Sequence, residues 1–328
     1  MAIGQTTSSD ISRNVDAYYD GMLIEPLKTV LIYGKYGQKR NVKDNDVARF
    51  NKYALLGTQP VSLVEGVNPS PQKLSRSTIN ATVSLYGGYV ELTEECDIYT
   101  IDPVVTIAAE RVVQQGVETV DEITRDILVA GTNVFRAGAV AGRTDITTIA
   151  TTGDLRKLAR AMMNNKAPFF KPKIGASTGV GTQPIQNAWF MIISSEVLYD
   201  MENFTSGWRN IATYPTGAAE ENEVGSFGYF RMLMTTACAV DEDGGHAIGS
   251  LPLASTGGSK ADVHLCIAFA ADAYGVIDCD GGMKTIRKDK AQVGGPLELY
   301  GTVGWKIRYT AKILDDDRMY RYECAVSE

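Results

Sequence analysis

The sequence predicts an α+β fold from three observations. Apolar residues recur at steps of three and four through 101–135, positions 78–85 alternate strictly between apolar and polar, and a longer alternation runs from 303 to 313. A period of 3.6 specifies a helix and a period of two a strand, so both element types are present. The 328 residues suffice for one large or two moderate domains. With 44% hydrophobic and 22% charged residues the composition is that of an ordinary globular chain, which excludes wholesale disorder, collagen and coiled coil.

Taken in order, residues 1–25 are polar and weakly patterned and read as an arm that gains order on a partner. Residues 28–33 read as a short strand. From 34 to 77 no period is sustained, and Gly34, Gly37, Gly57, Pro60, Gly66, Pro69 and Pro71 punctuate the stretch. Connections are usually about 4–6 residues, so this one is expected to be a projecting element. Ile79, Ala81, Val83 and Leu85 form one side of a half-buried strand, which Tyr86-Gly87-Gly88-Tyr89 is expected to break or bulge before 90–92.

The helix that follows is expected over 102–135, with Asp102 as N-cap, Pro103 at the first helical position and Asp121 with Arg125 as an i,i+4 pair. At 1.5 Å per residue it would span roughly 50 Å, with Gly116 weakening or bending its middle. A shorter amphipathic helix at 152–165 turns Leu155, Leu158, Ala159 and Met162 inward and Arg156, Lys157, Arg160 and Lys166 outward. A Gly/Ser/Thr loop covers 175–181, a buried strand 189–193 leads to a short helix near Ser195, and 263–269 alternates as a strand. At the end, 303–313 and 318–326 alternate on either side of Asp315-Asp316-Asp317 and read as a long hairpin.

Chemistry-bearing patterns are sparse. Cys96, Cys238, Cys266, Cys279 and Cys324 are odd in number and contain no C-x-x-C pair, so neither a disulfide framework nor a structural zinc site is expected. His246 and His264 stand alone, and His264 sits in a strand-like run as a structural residue. The loop of Gly175, Gly179 and Gly181 lacks the lysine of a phosphate loop. The acidic turns at 241–243 and 278–280 lack the twelfth-position glutamate of an EF-hand. Glu110, Glu118, Asp121, Glu122 and Asp126 are expected mainly on the polar side of the long helix, so general acid–base work is unsupported. No catalytic residue, cofactor or metal is expected.

No apolar run reaches the roughly 18–20 residues of a spanning helix, and the N-terminus has no apolar h-region, so neither a membrane segment nor a secretory signal is expected. The net charge of −7 argues against a protein whose main task is gripping nucleic acid. Locally, 33–53 is basic through Lys35, Lys39, Arg40, Lys43, Arg49 and Lys52, whereas 240–282 is acidic, so two copies of the chain carry unlike patches. An arm, a long loop, a spar-like helix and extended strands together describe a subunit built to touch copies of itself.

Several ordered motifs resemble the major capsid proteins of the N-four-like tailed bacteriophages. They are Val64-Glu65-Gly66-Val67-Asn68-Pro69; the run from Ile79 through Tyr86-Gly87-Gly88-Tyr89 to Thr93; Asp102-Pro103 with Glu118-Thr119-Val120-Asp121 and Gly131-Thr132; the run from Glu223 to Gly228; and Gly301 through Gly304-Trp305-Lys306 to Leu314. The resemblance covers roughly 30–325 and implies the HK97-type capsid fold. Its parts would be an N-terminal arm (1–33), an extended loop with supporting strands (34–85), a peripheral domain (86–137 and 291–314, with spine helix 102–135) and a mostly axial domain (138–290 and 315–328).

The implied function is that of a coat protein forming hexamers and pentamers of an icosahedral head around double-stranded DNA, with weak non-specific contact to that DNA. Lys35, Lys39, Arg40, Lys43 and Arg49 of the extended loop would meet acidic surface on a neighbour. No long helical segment precedes the arm, so a separate scaffolding protein is expected, beside a portal and possible decoration proteins. Covalent lysine-to-asparagine crosslinking is not inferred. The particle would assemble in the host cytoplasm and persist as the virion shell. The alternatives are an encapsulin-like nanocompartment shell of the same fold, holding enzyme cargo, and a soluble enzyme with an unrecognised site.

Overall fold

The computed structural model describes residues 32–42, 46–57, 62–99, 104–177, 179, 181–215, 217–249, 251–279, 282–293 and 297–328. The arm up to residue 31, Lys43 and the expected Asp102-Pro103 helix start lie outside the described residues, as does the expected strand at 28–33 except for Ile32 and Tyr33, which are in no strand.

In chain order the elements begin with β1 (Gln38–Val42), β2 (Val47–Tyr53), β3 (Arg76–Thr82) and β4 (Ser84–Thr93). Next come α1 (Glu94–Tyr99), α2 (Val104–Val129), β5 (Val134–Arg136), α3 (Thr152–Asn164), β6 (Trp189–Ile193) and α4 (Ser195–Glu202). Then follow β7 (Trp208–Asn210), β8 (Glu223–Phe227), β9 (Phe230–Met234), β10 (Ala239–Asp241) and β11 (Val263–Phe269). The chain ends with β12 (Tyr274–Cys279), β13 (Lys284–Lys288), α5 (Lys290–Val293), β14 (Tyr300–Ile313) and β15 (Met319–Cys324).

β14 is the centre of a five-stranded sheet. β4 is antiparallel along one of its edges, β13 and β12 share the other, and β1 runs parallel beside β12. Its period of two works as read: Val303, Trp305, Ile307, Tyr309 and Ala311 are buried, while Lys306, Arg308 and Lys312 are exposed. The buried side faces α2, whose Val112 and Leu128 share a core with Trp305, Ile307 and Tyr309. Gly116 neither ends nor interrupts this helix. A Cβ there would lie 2.8 Å from the Trp305 ring and 2.5 Å from the Met283 sulfur, so the glycine lets the helix backbone approach the sheet.

Two expected boundaries move. Tyr86-Gly87-Gly88-Tyr89 does not break a strand; the break is at Val83, and both glycines lie inside β4, Gly88 opposite Trp305. A Cβ on Gly87 would meet the Trp305 carbonyl at 2.8 Å, and one on Gly88 the Trp305 indole nitrogen at 3.1 Å, so Gly87 lets the β14 backbone approach and Gly88 makes room for the tryptophan ring. The spine helix ends at Val129, not 135. Arg321 donates to the carbonyls of Val129 and Gly131 at the helix C-terminus, where a cation also suits the helix dipole, and 134–136 then pairs parallel with β15.

The second sheet has the order β5-β15-β11-β6-β9-β8-β7, with β10 also on β11. Every residue of β6 and β11 is buried, because both faces of the sheet are covered. Trp189, Met191 and Ile193 enter a core with Leu155, Leu158 and Met162 of α3 and Val197 and Met201 of α4. Phe190 and Ile192 point the other way, into the core shared with α2 and the first sheet. Thr151 caps α3 by accepting from the Asp154 amide, and Ser194 caps α4 in the same way from Val197.

The expected terminal hairpin does not form. β14 has both edges occupied, so β15 bonds β11 and β5 in the other sheet, and the turn at 315–318 carries the chain between the two. Asp315 ties that turn by accepting from the Asp317 amide at 3.3 Å and pairing with Arg318 at 3.1 Å.

Candidate subunit-contact surface

β2 and β3 pair only with each other, from Val47 opposite Thr82 to Tyr53 opposite Arg76. An isolated two-stranded ladder is marginal in water, so this one needs a support. At its foot Ala48, Phe50 and Ala81 pack with Ile277 of β12, and Lys52 reaches Asp315 at 2.8 Å. Beyond the foot it is not covered by any of the described residues. Leu55, Leu63, Val64, Val67 and Leu74 are 64–89% exposed, and Tyr53 is 60% exposed. A cluster of exposed apolar side chains on one projecting element marks a contact surface.

The basic residues expected to serve that surface are dispersed. Lys35 and the β1 residues Lys39 and Arg40 belong to the body, not to the hairpin. Lys35 pairs with Glu221 of the same chain at 2.6 Å, and the Arg40 guanidinium lies over the Phe50 ring at 4.8 Å. Arg49 is on the exposed side of β2, and Lys39 is exposed on β1; neither makes an ion pair among the described residues. Lys43 lies outside them. Lys52 is legible as part of the basic stretch, but not its partner, because only the fold brings Asp315 to it. The acidic stretch is largely used internally: Asp241 binds Arg143 at 2.6 Å, and Asp262 accepts from the Asp243 and Thr256 amides at 2.8 Å each.

Buried polar groups fix the frame behind this surface. Asp121 is not on the polar side of the spine helix but buried, accepting from the amides of Ile32 at 3.2 Å and Gly34 at 3.0 Å. The expected partner Arg125 instead pairs with Asp126 at 2.9 Å and lies 3.7 Å from Glu122. Burial pushes the Asp121 carboxyl up, and the backbone amides of Gly34, Ile32 and Tyr33 offset part of that push. The Tyr274 hydroxyl donates to the Tyr33 carbonyl at 2.6 Å, so the chain just after the arm is held between helix and sheet.

Glu323 of β15 is fully buried among three arginines: Arg143 at 2.6 Å, Arg321 at 2.8 Å and Arg136 at 3.1 Å. Burial alone would raise its carboxyl, but hydrogen bonding and charge from Arg143, with Arg321 and Arg136, hold it below its ordinary value. Glu223 and Arg231 form a second buried pair through two bonds of 2.7 and 2.5 Å. His264 contacts the Ser194 hydroxyl through Nδ1 at 2.9 Å and Glu196 through Nε2 at 2.8 Å. Serine, histidine and carboxylate in a row invite a nucleophile reading. Ser194 and His264 are buried, however, and the serine oxygen is occupied as a helix cap, so the trio fastens α4 to β11. Burial lowers the His264 imidazole, against the pull of Glu196, Asp262 and Asp200.

Known structures share this architecture. The capsid of Ralstonia phage GP4 superposes with a TM-score of 0.69 at 11% identity, covering 99% of each chain. The capsid of cyanophage P-SCSP1u gives 0.65 at 13% identity over 99% of this chain and 96% of that one. The head of Helicobacter pylori bacteriophage KHP40 gives 0.63 at 9%, over 99% and 98%. No curated protein sequence matches. The family model described as phage capsid protein matches residues 76–322, from β3 to β15, and with the HK97-type fold just described this places the chain in the phage capsid protein family, as a major capsid protein of a tailed phage.

Proposed function

We propose that copies of this chain assemble into hexamers and pentamers of an icosahedral head enclosing double-stranded DNA, with the β2–β3 hairpin lying over a neighbouring subunit. The observation that supports this most is the hairpin itself: a ladder supported only at its foot among the described residues, whose apolar tip residues are exposed. In this reading the arm is residues 1–33, the extended loop with its supporting strands 34–85, the peripheral domain 86–137 and 291–314, and the mostly axial domain 138–290 and 315–328. The role is structural, as family membership implies. A scaffolding protein, a portal and possible decoration proteins are the further partners, and assembly takes place in the host cytoplasm.

Electron microscopy and light scattering of the purified protein, with and without a coexpressed scaffolding candidate, test the reading. Closed shells or capsomer rings are expected; a monodisperse monomer or dimer under both conditions overturns it. Within it, Lys39 and Arg49 serve as steering charges for the neighbour, since Lys35 and Arg40 have partners in their own chain. The double variant Lys39→Glu with Arg49→Glu is expected to slow shell formation about tenfold at low salt, an effect that shrinks near 1 M salt. Equal assembly rates at low salt would remove these residues from the interface.

A further inference from the structure

A cleft of about 470 Å³ opens between α3 and the β8–β9 turn. Arg156 and Arg160, one turn apart on α3, and Arg209 of β7 stand around it, and no carboxylate lines it. Its aromatic side is built from Phe227, Tyr229 and Phe230; the Arg156 guanidinium lies 6.0 Å from the centre of the Phe227 ring. None of the three arginines makes an ion pair among the described residues, and Arg209 donates to the Pro184 carbonyl. Surface arginines without carboxylates, gathered over aromatic rings, fit an acidic ligand that carries a ring of its own.

The same chain presents such a ligand. On α4, Glu196, Tyr199 and Glu202 follow at intervals of three and so share one face, spanning about 9 Å. Tyr199 is 64% exposed, an unusual position for so large a ring, and both flanking glutamates are exposed. Tyr199 also supplies the π-face that an arginine plane stacks on.

We infer that the Arg156–Arg160–Arg209 cleft receives the Glu196–Tyr199–Glu202 face of α4 from a second copy of this chain. The inference rests on the assembly reading above and adds a contact to it, distinct from the hairpin. Every copy carries both halves, so one pairing repeats through the whole assembly. Nucleic acid is the other anion-rich candidate. A second copy is favoured because the chain is acidic overall, at −7, and because copies bring cleft and acidic face together in equal numbers.

Charge exchange tests the contact. Glu202 is chosen because it leaves the Glu196–His264 bond intact. Arg160→Glu alone and Glu202→Arg alone are each expected to raise the concentration at which half the protein is assembled by on the order of tenfold. The double variant R160E/E202R is expected to return it to within about threefold of wild type, since each copy then offers the reversed pair. Losses that add in the double variant, or single variants that assemble like wild type, overturn the inference.

Sedimentation velocity over a concentration series reads the pair without any shell. The sedimentation coefficient should rise with concentration for wild type and the double variant, and rise only at on the order of tenfold higher concentration for the singles. A flat wild-type series overturns the contact; wild-type association without shells keeps the contact and overturns the head. Weakened retention of a 30-base-pair DNA duplex by R160E, with assembly unchanged, assigns the cleft to nucleic acid instead.

Discussion

Replacing Glu323 by Gln should cost on the order of 3–5 kcal/mol of stability, because three arginines then face a neutral amide in a buried site. The carboxylate is wholly buried, whereas Arg136, Arg143 and Arg321 are 25%, 30% and 14% exposed, so the glutamate is the member with no recourse to water. It also joins three separate pieces of chain: β5 through Arg136, the turn at 143–145 through Arg143, and β15 itself. A melting temperature lowered by roughly 5–10 °C at neutral pH is the expected reading.

The pH dependence has a definite sign. Glu323 is held below its ordinary value of 4.5 in the folded chain, so its stabilisation is complete above that value. It is lost as pH falls through the lower folded value. The gap between wild type and Glu323→Gln should therefore narrow as pH falls below 4.5 and close once it is below the lowered folded value. A gap equal at pH 7 and pH 3 would show that the charge is not what holds this cluster.

Trp305→Ala should be of similar size, about 3–5 kcal/mol, for a reason of shape and not of charge. The ring is 5% exposed, and Gly88 and Gly116 leave space for it from β4 and α2. Two elements are thus cut to fit one side chain, and neither can collapse onto the gap without moving backbone. The indole N–H also bonds the side-chain oxygen of the exposed Gln115 at 3.3 Å. Denaturant unfolding that places the loss under about 1 kcal/mol would mean the helix settles into the vacated space.

The periodic segments were legible because their patterns record which side is buried: α3 and β14 bury the residues their spacing selects. What the pattern could not carry was pairing. Residues 303–313 and 318–326 alternate in phase across a turn, and nothing local says that β4 and β12 have already taken both edges of β14. Phe135 continues the helical spacing past Val129 but stacks on Tyr322, a partner set only by the sheet. Asp121 fits a polar helix face in sequence, and the amides of Ile32 and Gly34 that claim it are 89 and 87 residues away.

For the contact surface, composition marked the region and missed the agents. Positive charge drew attention to Lys35 and Arg40, which the fold neutralises or stacks within the chain. The apolar tip residues were diluted among glycines and prolines and showed no period. They stand out only once the ladder beneath them is seen to be covered, among the described residues, at its foot alone.

The hairpin also defines a route for mechanical load. β3 passes into β4 through the single residue Val83, whose amide bonds the Asp46 carbonyl at 2.9 Å, and β4 runs beside β14 from Ser84 to Thr93. A pull exerted on the tip therefore arrives in β4 as tension along its backbone. There it meets the antiparallel ladder with β14 in shear, so the bonds resist together instead of opening one at a time. The tip can give way to a neighbour while the strand that anchors it stays taut.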